Sequence, residues 1–406
     1  MNKIRIRNFG PIRTGYNVND GWMPINKVTV FIGNQGSGKS TVAKVISTMS
    51  WLEKALVRGD FGEKELTSGS LFRRHFSYQN VDSYFNEDTV LEYQGDAYHI
   101  SYKKKAVNVC KIREKEYAFP KIMYVPSERN FVSSVRNVNR LKGLPSTLYT
   151  FSDEFLNAVG VLKGQLELPI NKIKFEYQKL NELSWIVGED YKIKLSEASS
   201  GFQSFVPLFI VSNYLSESLN KEGNNATKEI SIEEERRIKK QIQDILTNPN
   251  LSEEVRRNSL EFLSSRTTYS AFINIVEEPE QNLFPSSQHH ILNALLAINN
   301  DNENNGLIIT THSPYIINYL SVAIEAAIVL DTLNSDELKK KFEAIIPANA
   351  TAKAKDVCIY QLQEIGGVIT DLPKFEGIPS DRNYLNQSLA EGNKLFDSLL
   401  ELQQGI

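Results

Sequence analysis

This sequence predicts an α/β fold built around a phosphate-binding loop, and three observations carry the prediction. Residues Gly33-Asn34-Gln35-Gly36-Ser37-Gly38-Lys39-Ser40 fit G-x-x-x-x-G-K-[ST] in full. They lie between a β-branched apolar run, Lys27–Ile32, and a helical pattern that opens at Thr41. Two more apolar runs, Phe272–Val276 and Leu307–Thr311, each end on residues able to do chemistry.

The loop comes first because its physics is direct. Glycines let the backbone curl so that successive N–H groups face an anion, and the helix N-terminus adds its positive end. The expected nucleotide-binding set is Gly33, Asn34, Gln35, Gly36, Ser37, Gly38, Lys39, Ser40 and Thr41. Lys39 would reach the β- and γ-phosphates, and the Ser40 hydroxyl would bind Mg²⁺.

Bulk composition sets limits. The chain of 406 residues is long enough for two domains or one large core with insertions. Its hydrophobic fraction of 41% and charged fraction of 23% are those of a globular protein. A formal net charge of −3 gives no global field toward nucleic acid, which leaves room only for a local basic face. Cys110 and Cys358, far apart in sequence, suit a reducing compartment and exclude a disulfide scaffold. No run approaches the ~20 apolar residues of a membrane span. The start, Met1–Arg7, lacks a signal peptide's apolar stretch. A cytoplasmic protein with no membrane partner is the expectation.

The elements follow in chain order. Ile4, Ile6 and Phe9 mark a first strand, Val28–Ile32 a second, and the loop's helix runs to about Leu56. Short helices are expected around Leu71–Phe76 and Val81–Phe85. Thr89–Tyr93 and Ala97–Tyr102 flank Gln94-Gly95-Asp96 as a β-hairpin, and Ala106–Ile112 adds a strand. Lys121–Val125 is a strand stopped by Pro126. Residues 128–186 read as mostly helical, with a break near 143–145, then a hairpin from Trp185 to Leu195 around Gly188-Glu189-Asp190. A long helix, Gly201–Leu219, precedes a charged stretch, 220–266, that reads as a helical hairpin opened by a capping box at Ser231. The tail carries a hairpin near Val357–Leu372 and an amphipathic helix from Asp381 to Gln403. The domain expectation is a core of 1–125 and 267–406 with an antiparallel β-lobe, a helical lobe of 126–219, and the insertion of 220–266.

Three segments bear chemistry beyond the loop. Phe272–Val276 ends in Glu277-Glu278-Pro279. The first carboxylate can hold Mg²⁺ through water, and the second can polarise an attacking water. Leu307–Thr311 ends in His312-Ser313-Pro314, where an imidazole can contact a γ-phosphate. Ala198-Ser199-Ser200-Gly201 opens a long helix, and its small residues let backbone N–H groups approach an anion. The bland readings are an acidic turn, a surface histidine and a plain N-cap.

In this order the segments resemble the ABC-type ATPase head of the RecF/SMC/OLD superfamily. Ala198–Phe202 stands where that family has Leu-Ser-Gly-Gly-Gln, Glu277-Glu278-Pro279-Glu280 where it has Asp-Glu-Pro-Glu, and Thr311–Pro314 matches its switch-histidine segment. Tyr124-Val125-Pro126-Ser127-Glu128-Arg129 looks like its Q-loop region, and Tyr384-Leu385 with the terminal helix looks like its stand-alone members. The resemblance implies a P-loop NTPase core of ABC/RecF-like type, with a β-hairpin lobe and a helical insertion. It implies ATP and Mg²⁺ as cofactors, Ser40 and Glu277 at the metal, and Glu278 and His312 as catalytic groups. It also implies a homodimer or higher assembly in which Ser199, Ser200 and Gly201 cover the partner's nucleotide. Two residues depart from the pattern: Glu277 replaces Asp, and Phe202 stands where the signature ends in Gln.

What the ATPase acts on is less determined. The β-hairpin lobe and helical insertion fit a transporter cassette poorly. The stretch between Arg129 and Ala198 is too short for the arms of a long SMC protein, and no Asp-x-Asp strand after His312 suggests a nuclease. The family's small ATPases, such as Septu- and retron-associated ones, serve anti-phage defence or DNA repair beside a separate nuclease or toxin. DNA is one expected ligand, with Lys103-Lys104-Lys105, Lys111, Arg113, Arg129, Arg136, Arg140 and Lys142 as the local basic residues. A slow-hydrolysing, ATP-loaded switch that holds an effector protein is the alternative.

Overall fold

A computed structural model describes residues 2–112, 117–135, 138, 141–224, 245 and 269–404. The expected helical hairpin of 220–266, its Ser231 box, and Arg113, Arg136 and Arg140 fall largely or wholly outside these residues.

Strands β1 (Asn2–Arg7), β2 (Gly15–Tyr16), β3 (Met23–Ile25) and β4 (Val28–Gly33) precede the helix Lys39–Arg58. After it come β5 (Val90–Gln94), β6 (Tyr98–Lys103), β7 (Ala106–Lys111) and β8 (Pro120–Val125). A later group is β9 (Gln165–Glu167), β10 (Lys174–Gln178), β11 (Leu183–Val187) and β12 (Lys192–Lys194). The chain then returns through β13 (Ala271–Glu277), β14 (Gly306–Thr311), β15 (Val357–Leu362) and β16 (Val368–Asp371).

The central sheet runs β2-β16-β15-β4-β14-β13-β8. From β15 to β8 every neighbour is parallel, so the loop strand β4 lies in the middle, with β14 on one side and β15 on the other. All six residues of β4 are buried, as a strand covered on both faces requires. Alternate residues feed different cores. Val28, Val30 and Ile32 join one cluster with Phe205, Leu292 and Ile309, while Phe31 joins another with Val42, Tyr93 and Tyr360.

The second sheet, β3-β1-β5-β6-β7, is antiparallel throughout. Its sequence alternates. Ile4, Ile6, Leu91, Tyr93, Ile100 and Tyr102 are buried on one side. Lys3, Arg5, Arg7, His99 and Lys103 occupy the other parity. The loop's helix packs beneath and stops at Gly59, whose φ of 79° is the left-handed cap that glycine takes without strain.

The stretch 128–186 departs from expectation. Among the described residues of this stretch α-helix is confined to Phe131–Ser134 and Ser146–Val161, and a four-stranded antiparallel sheet, β12-β11-β10-β9, follows. The cause is a period of two in Lys174-Phe175-Glu176-Tyr177-Gln178, which places Phe175 in the core between polar neighbours. Turns at Asn171-Lys172 and Glu182, all at positive φ, close it. The other differences are small. β1 stops at Arg7, and Phe9 instead bridges Ile12. The Val81–Phe85 helix shrinks to one turn, Asp82–Tyr84. The expected hairpins at Trp185–Leu195 and Val357–Leu372 form as β11–β12 and β15–β16, the latter joining the central sheet.

Phe175→Ala should therefore cost about 3–5 kcal/mol of unfolding free energy. Leu180, 95% exposed on the β10–β11 turn, should tolerate alanine within about 0.5 kcal/mol. Urea denaturation of both variants checks the contrast, and equal losses would contradict the sheet.

Candidate functional site

Register brings the expected site together. Leu362 pairs with Gly33, Thr311 with Ile32, and Thr310 with Glu277. The strand ends are therefore level, and Gly33, Glu278 and His312 emerge along one carboxyl edge, where parallel α/β sheets bind ligands.

Gly33, Gly36 and Gly38 have φ of 151°, 78° and 99°, and the loop's curl depends on them. A Cβ on Gly33 would lie 2.5 Å from the Leu362 carbonyl oxygen. The Lys39 ammonium is buried, donating to the carbonyls of Gly33 at 2.7 Å and Asn34 at 2.8 Å. Burial pulls its pKa down to about 8, opposed by the nearby Glu278, Glu280 and Glu277. The Ser37 hydroxyl is buried without a partner, the kind of vacancy an anion's oxygen fills. An open cleft of about 550 Å³ lies over the loop, lined by Gln35, Gly36, Gly38, Lys39, Ser40 and Thr41. Glu278 and His312 line it as well, and so do Gly10, Pro11 and Tyr84.

His312 joins the cation to the acid. Its Nδ1 lies 3.4 Å from Lys39 Nζ, and its Nε2 lies 3.1 Å from Glu278 Oε1. An ammonium can only donate, so Nδ1 accepts, and the ring proton sits on Nε2 facing the carboxylate. The hydrogen bond from His312 holds the Glu278 carboxyl below its usual pKa despite partial burial. Glu278 is thus ionised at neutral pH.

Glu277 behaves differently. It is buried, and its carboxylate accepts from the Tyr124 hydroxyl at 2.6 Å and the Ser127 N–H at 3.2 Å. Tyr124 and Ser127 thus anchor the Glu277 side chain. Glu280, unassigned by sequence reasoning, accepts from Thr311 Oγ1 and from the His312 N–H, both at 2.7 Å, and so fixes the histidine's backbone. Burial raises its pKa.

The Ala198–Gly201 segment opens the helix Ser200–Asn224. Ser199 and Ser200 are exposed, while Gly201 turns inward, where a Cβ would meet the Asn282 carbonyl oxygen at 2.7 Å. Gly201 thus serves close packing within its own chain. Phe202 packs against the core. Gln203 braces the turn by donating to the carbonyls of Ser196 and Ala198. Arg129 is a correction: it is 0% exposed and so belongs to no surface. Its sequence signal, one arginine in a polar run, gives no hint of this. Tyr84 and Gly10 were likewise illegible, because only the fold brings the ring against the glycine.

These residues suit a nucleoside triphosphate: a curled loop, a buried ammonium, an unpartnered hydroxyl, and an acid–histidine pair opposite. Mg²⁺ bound with the nucleotide would neutralise phosphate charge; Ser40 lines the cleft, whereas the expected second ligand, Glu277, does not, and its carboxylate oxygens accept from Tyr124 and Ser127. Among the described residues no three His, Cys, Asp or Glu side chains form a metal cluster of their own.

Strand order, level strand ends and the strand–loop–helix at β4 define an α/β fold with a phosphate-loop turn at the centre of a largely parallel sheet, beside a second, antiparallel sheet. Solved structures similar to the chain include an SMC head domain from Thermotoga maritima, at 12% identity and TM-score 0.37, covering 92% of this chain and 98% of that one. Another is an SMC head bound to the C-terminal winged-helix domain of ScpA, at 10% identity and TM-score 0.34, with coverages of 91% and 96%. A third is an ATP-binding cassette, dimeric in a post-hydrolysis state with ADP and Pi, at 10% identity and TM-score 0.31, with coverages of 92% and 100%. No protein-family model matches the chain, and no curated protein matches it significantly.

The depressed Lys39 pKa has a measurable consequence. A bound phosphate raises that pKa, so above about pH 8 nucleotide binding should take up a proton, while well below it no uptake is expected. Calorimetry at pH 8.5 in buffers of different ionisation enthalpy reads the uptake, and a buffer-independent heat would contradict it.

Proposed function

We propose that the chain is an ATPase that binds ATP and Mg²⁺ at the loop and hydrolyses ATP slowly. Two copies close around the nucleotide. The observation that carries the reading is the Lys39–His312–Glu278 chain of contacts at the cleft over the glycine loop. Glu278 orients water, Lys39 holds the phosphates, and His312 links the two. Ser199 and Ser200, exposed at the start of a helix, are the residues that would meet a partner's nucleotide.

The proposed object of this cycle is DNA, met on the open face of the second sheet. Lys3, Arg5 and Arg7 follow one another on the outward side of β1, with Lys103 two strands away. Lys3 Nζ lies 4.9 Å, and the Arg5 guanidinium 4.7 Å, from the Trp22 ring centre. Cations beside an aromatic suit phosphate and base together. The alternative, a switch that holds a separate effector such as a nuclease or toxin, draws on the terminal helix Tyr384–Gln404. There Leu395, Phe396, Leu399 and Leu402 are exposed by 62–74%. No helix among the described residues is long and apolar enough to cross a membrane.

Glu278→Gln should retain ATP binding, lose turnover by roughly 10²–10⁴-fold and accumulate a closed dimer in sedimentation. Adding Ser200→Arg should leave binding intact and abolish the dimer, whereas Lys39→Ala should lose binding itself. Wild-type turnover in Glu278→Gln, or a dimer that survives Ser200→Arg, would contradict the assignment. Gly201→Arg is a poorer probe, because that site is packed within the chain.

Lys3→Gln with Arg7→Gln should weaken DNA binding across sequences and lower the salt slope by about one per lost contact. Filter binding over a salt series measures it. An unchanged slope, or no DNA binding by the wild type, would favour the effector reading.

A further inference from the structure

The largest wholly buried side chain is a cation. Arg129 is 0% exposed, and its recorded hydrogen bonds all go to backbone carbonyls. Nη1 donates to Glu277 O at 2.6 Å and to Pro126 O at 3.3 Å. Nη2 donates to Glu278 O at 2.6 Å, and Nε donates to Ser204 O at 3.1 Å. One planar fork therefore ties three segments: the turn after β8, the two acids at the end of β13, and the first turns of the helix Ser200–Asn224.

The acid it grips is under strain. Glu278 has φ of +44°, a left-handed conformation unfavourable for a side chain with a Cβ. Such a residue persists only where its surroundings over-determine it. Here its N–H donates to Thr310 O at 2.8 Å, and its carbonyl accepts from Arg129. That backbone aims the carboxylate at His312. The other end of the same guanidinium holds Ser204, whose hydroxyl lies 3.4 Å from Asn282 Nδ2 in the turn after the acids. A shift of the Ser200 helix thus pulls on the guanidinium and, through it, on the Glu278 backbone.

We propose that Arg129 is a positioning residue that couples the Ser199–Ser200 helix end to Glu278 of the same chain. When that helix end engages a partner's nucleotide, the chain's own acid is set for its own nucleotide. The two sites are then linked through buried backbone contacts and need no side-chain contact across the cleft. This rests on the ATPase reading above. Arginine is required because the link needs donors diverging from one plane toward three segments, which a lysine ammonium cannot supply while reaching all of them.

The test uses Arg129→Lys in the full chain, followed by hydrogen exchange and kinetics. ATP affinity should stay within about threefold and turnover should fall about 100-fold, the cost of a misplaced reacting group. ATP should still protect the amides of 33–41, but protection of 199–206, present in the wild type, should be lost. In a Glu278→Gln background, Arg129→Lys should lower residual turnover no further, because the group it positions is gone. Should Arg129→Lys fail to melt cooperatively, Arg129→Gln, which keeps two donors, takes its place. Protection of 199–206 that survives in the variant, or affinity and turnover falling in step, overturns the proposal. Absence of ATP protection at 33–41 in the wild type instead overturns the ATPase reading, and the coupling falls with it.

Discussion

A buried ammonium must be compensated, and at Lys39 that requirement organises the whole carboxyl edge of the sheet. An unpaired buried charge is far too costly to keep. The loop answers by turning the Gly33 and Asn34 carbonyls onto the amine, which needs glycine dihedrals at 33, 36 and 38. His312 approaches from β14, and Glu278 stands behind it from β13. The contacts that fix the amine are thus all made by the chain itself. A phosphate entering the loop finds a cation already desolvated and aimed, so little reorganisation is left for binding.

Arg129 repeats the arrangement one layer deeper. Burial lowers its pKa to about 10, while the charges of Glu280, Glu278 and Glu277 oppose that shift. It remains protonated at neutral pH. Two buried cations thus lie among carboxylates from one short segment, Glu277–Glu280, and among the described residues neither has a salt bridge of its own. Fields shared in this way respond to any added anion. An anion at Lys39 would change the balance there directly and at Arg129 through the acids that both cations face.

Sequence reasoning located the phosphate loop, the acid pair and the histidine because each is a local pattern: glycines at fixed spacing, or a polar residue closing an apolar run. The parallel strands were legible for the same reason, since β4, β13 and β14 are buried on both faces and read as continuous apolar runs. The sheet β9–β12 was not legible. Its short strands are rich in Lys, Glu and Gln, and only Phe175 and Ile186 are buried at their centre. Arg129, Glu280 and Tyr84 were hidden because their roles are set by partners distant in sequence. Arg129 reaches Ser204 and Glu277, and Tyr84 meets Gly10. The inward turn of Gly201 was hidden too, since a small residue at a helix start fits both an anion and a tight backbone contact.

The helix that begins at the phosphate cradle also reaches the second sheet. Glu53, in its fourth turn, is buried, and its carboxylate accepts from the Ala97 and Tyr98 N–H groups at 2.7 and 3.0 Å. Those amides lie at the end of the β5–β6 turn and the start of β6, and Gly95 in that turn has no room for a side chain against the carboxylate. Desolvation raises the Glu53 pKa, and the two amide bonds oppose it. A carboxylate gripping a hairpin turn is a stiff joint, because breaking it strands a buried polar group at about 1–3 kcal/mol or more. β5 pairs directly with β1, whose outward side carries Lys3, Arg5 and Arg7. Two buried polar joints therefore lead away from the phosphate site. One runs through the loop's helix and Glu53 to the basic face, and the other through Glu278 and Arg129 to the Ser200 helix. Apolar packing alone leaves such elements free to slide, whereas directional bonds to backbone fix the positions of the sheet and the helix end relative to the loop.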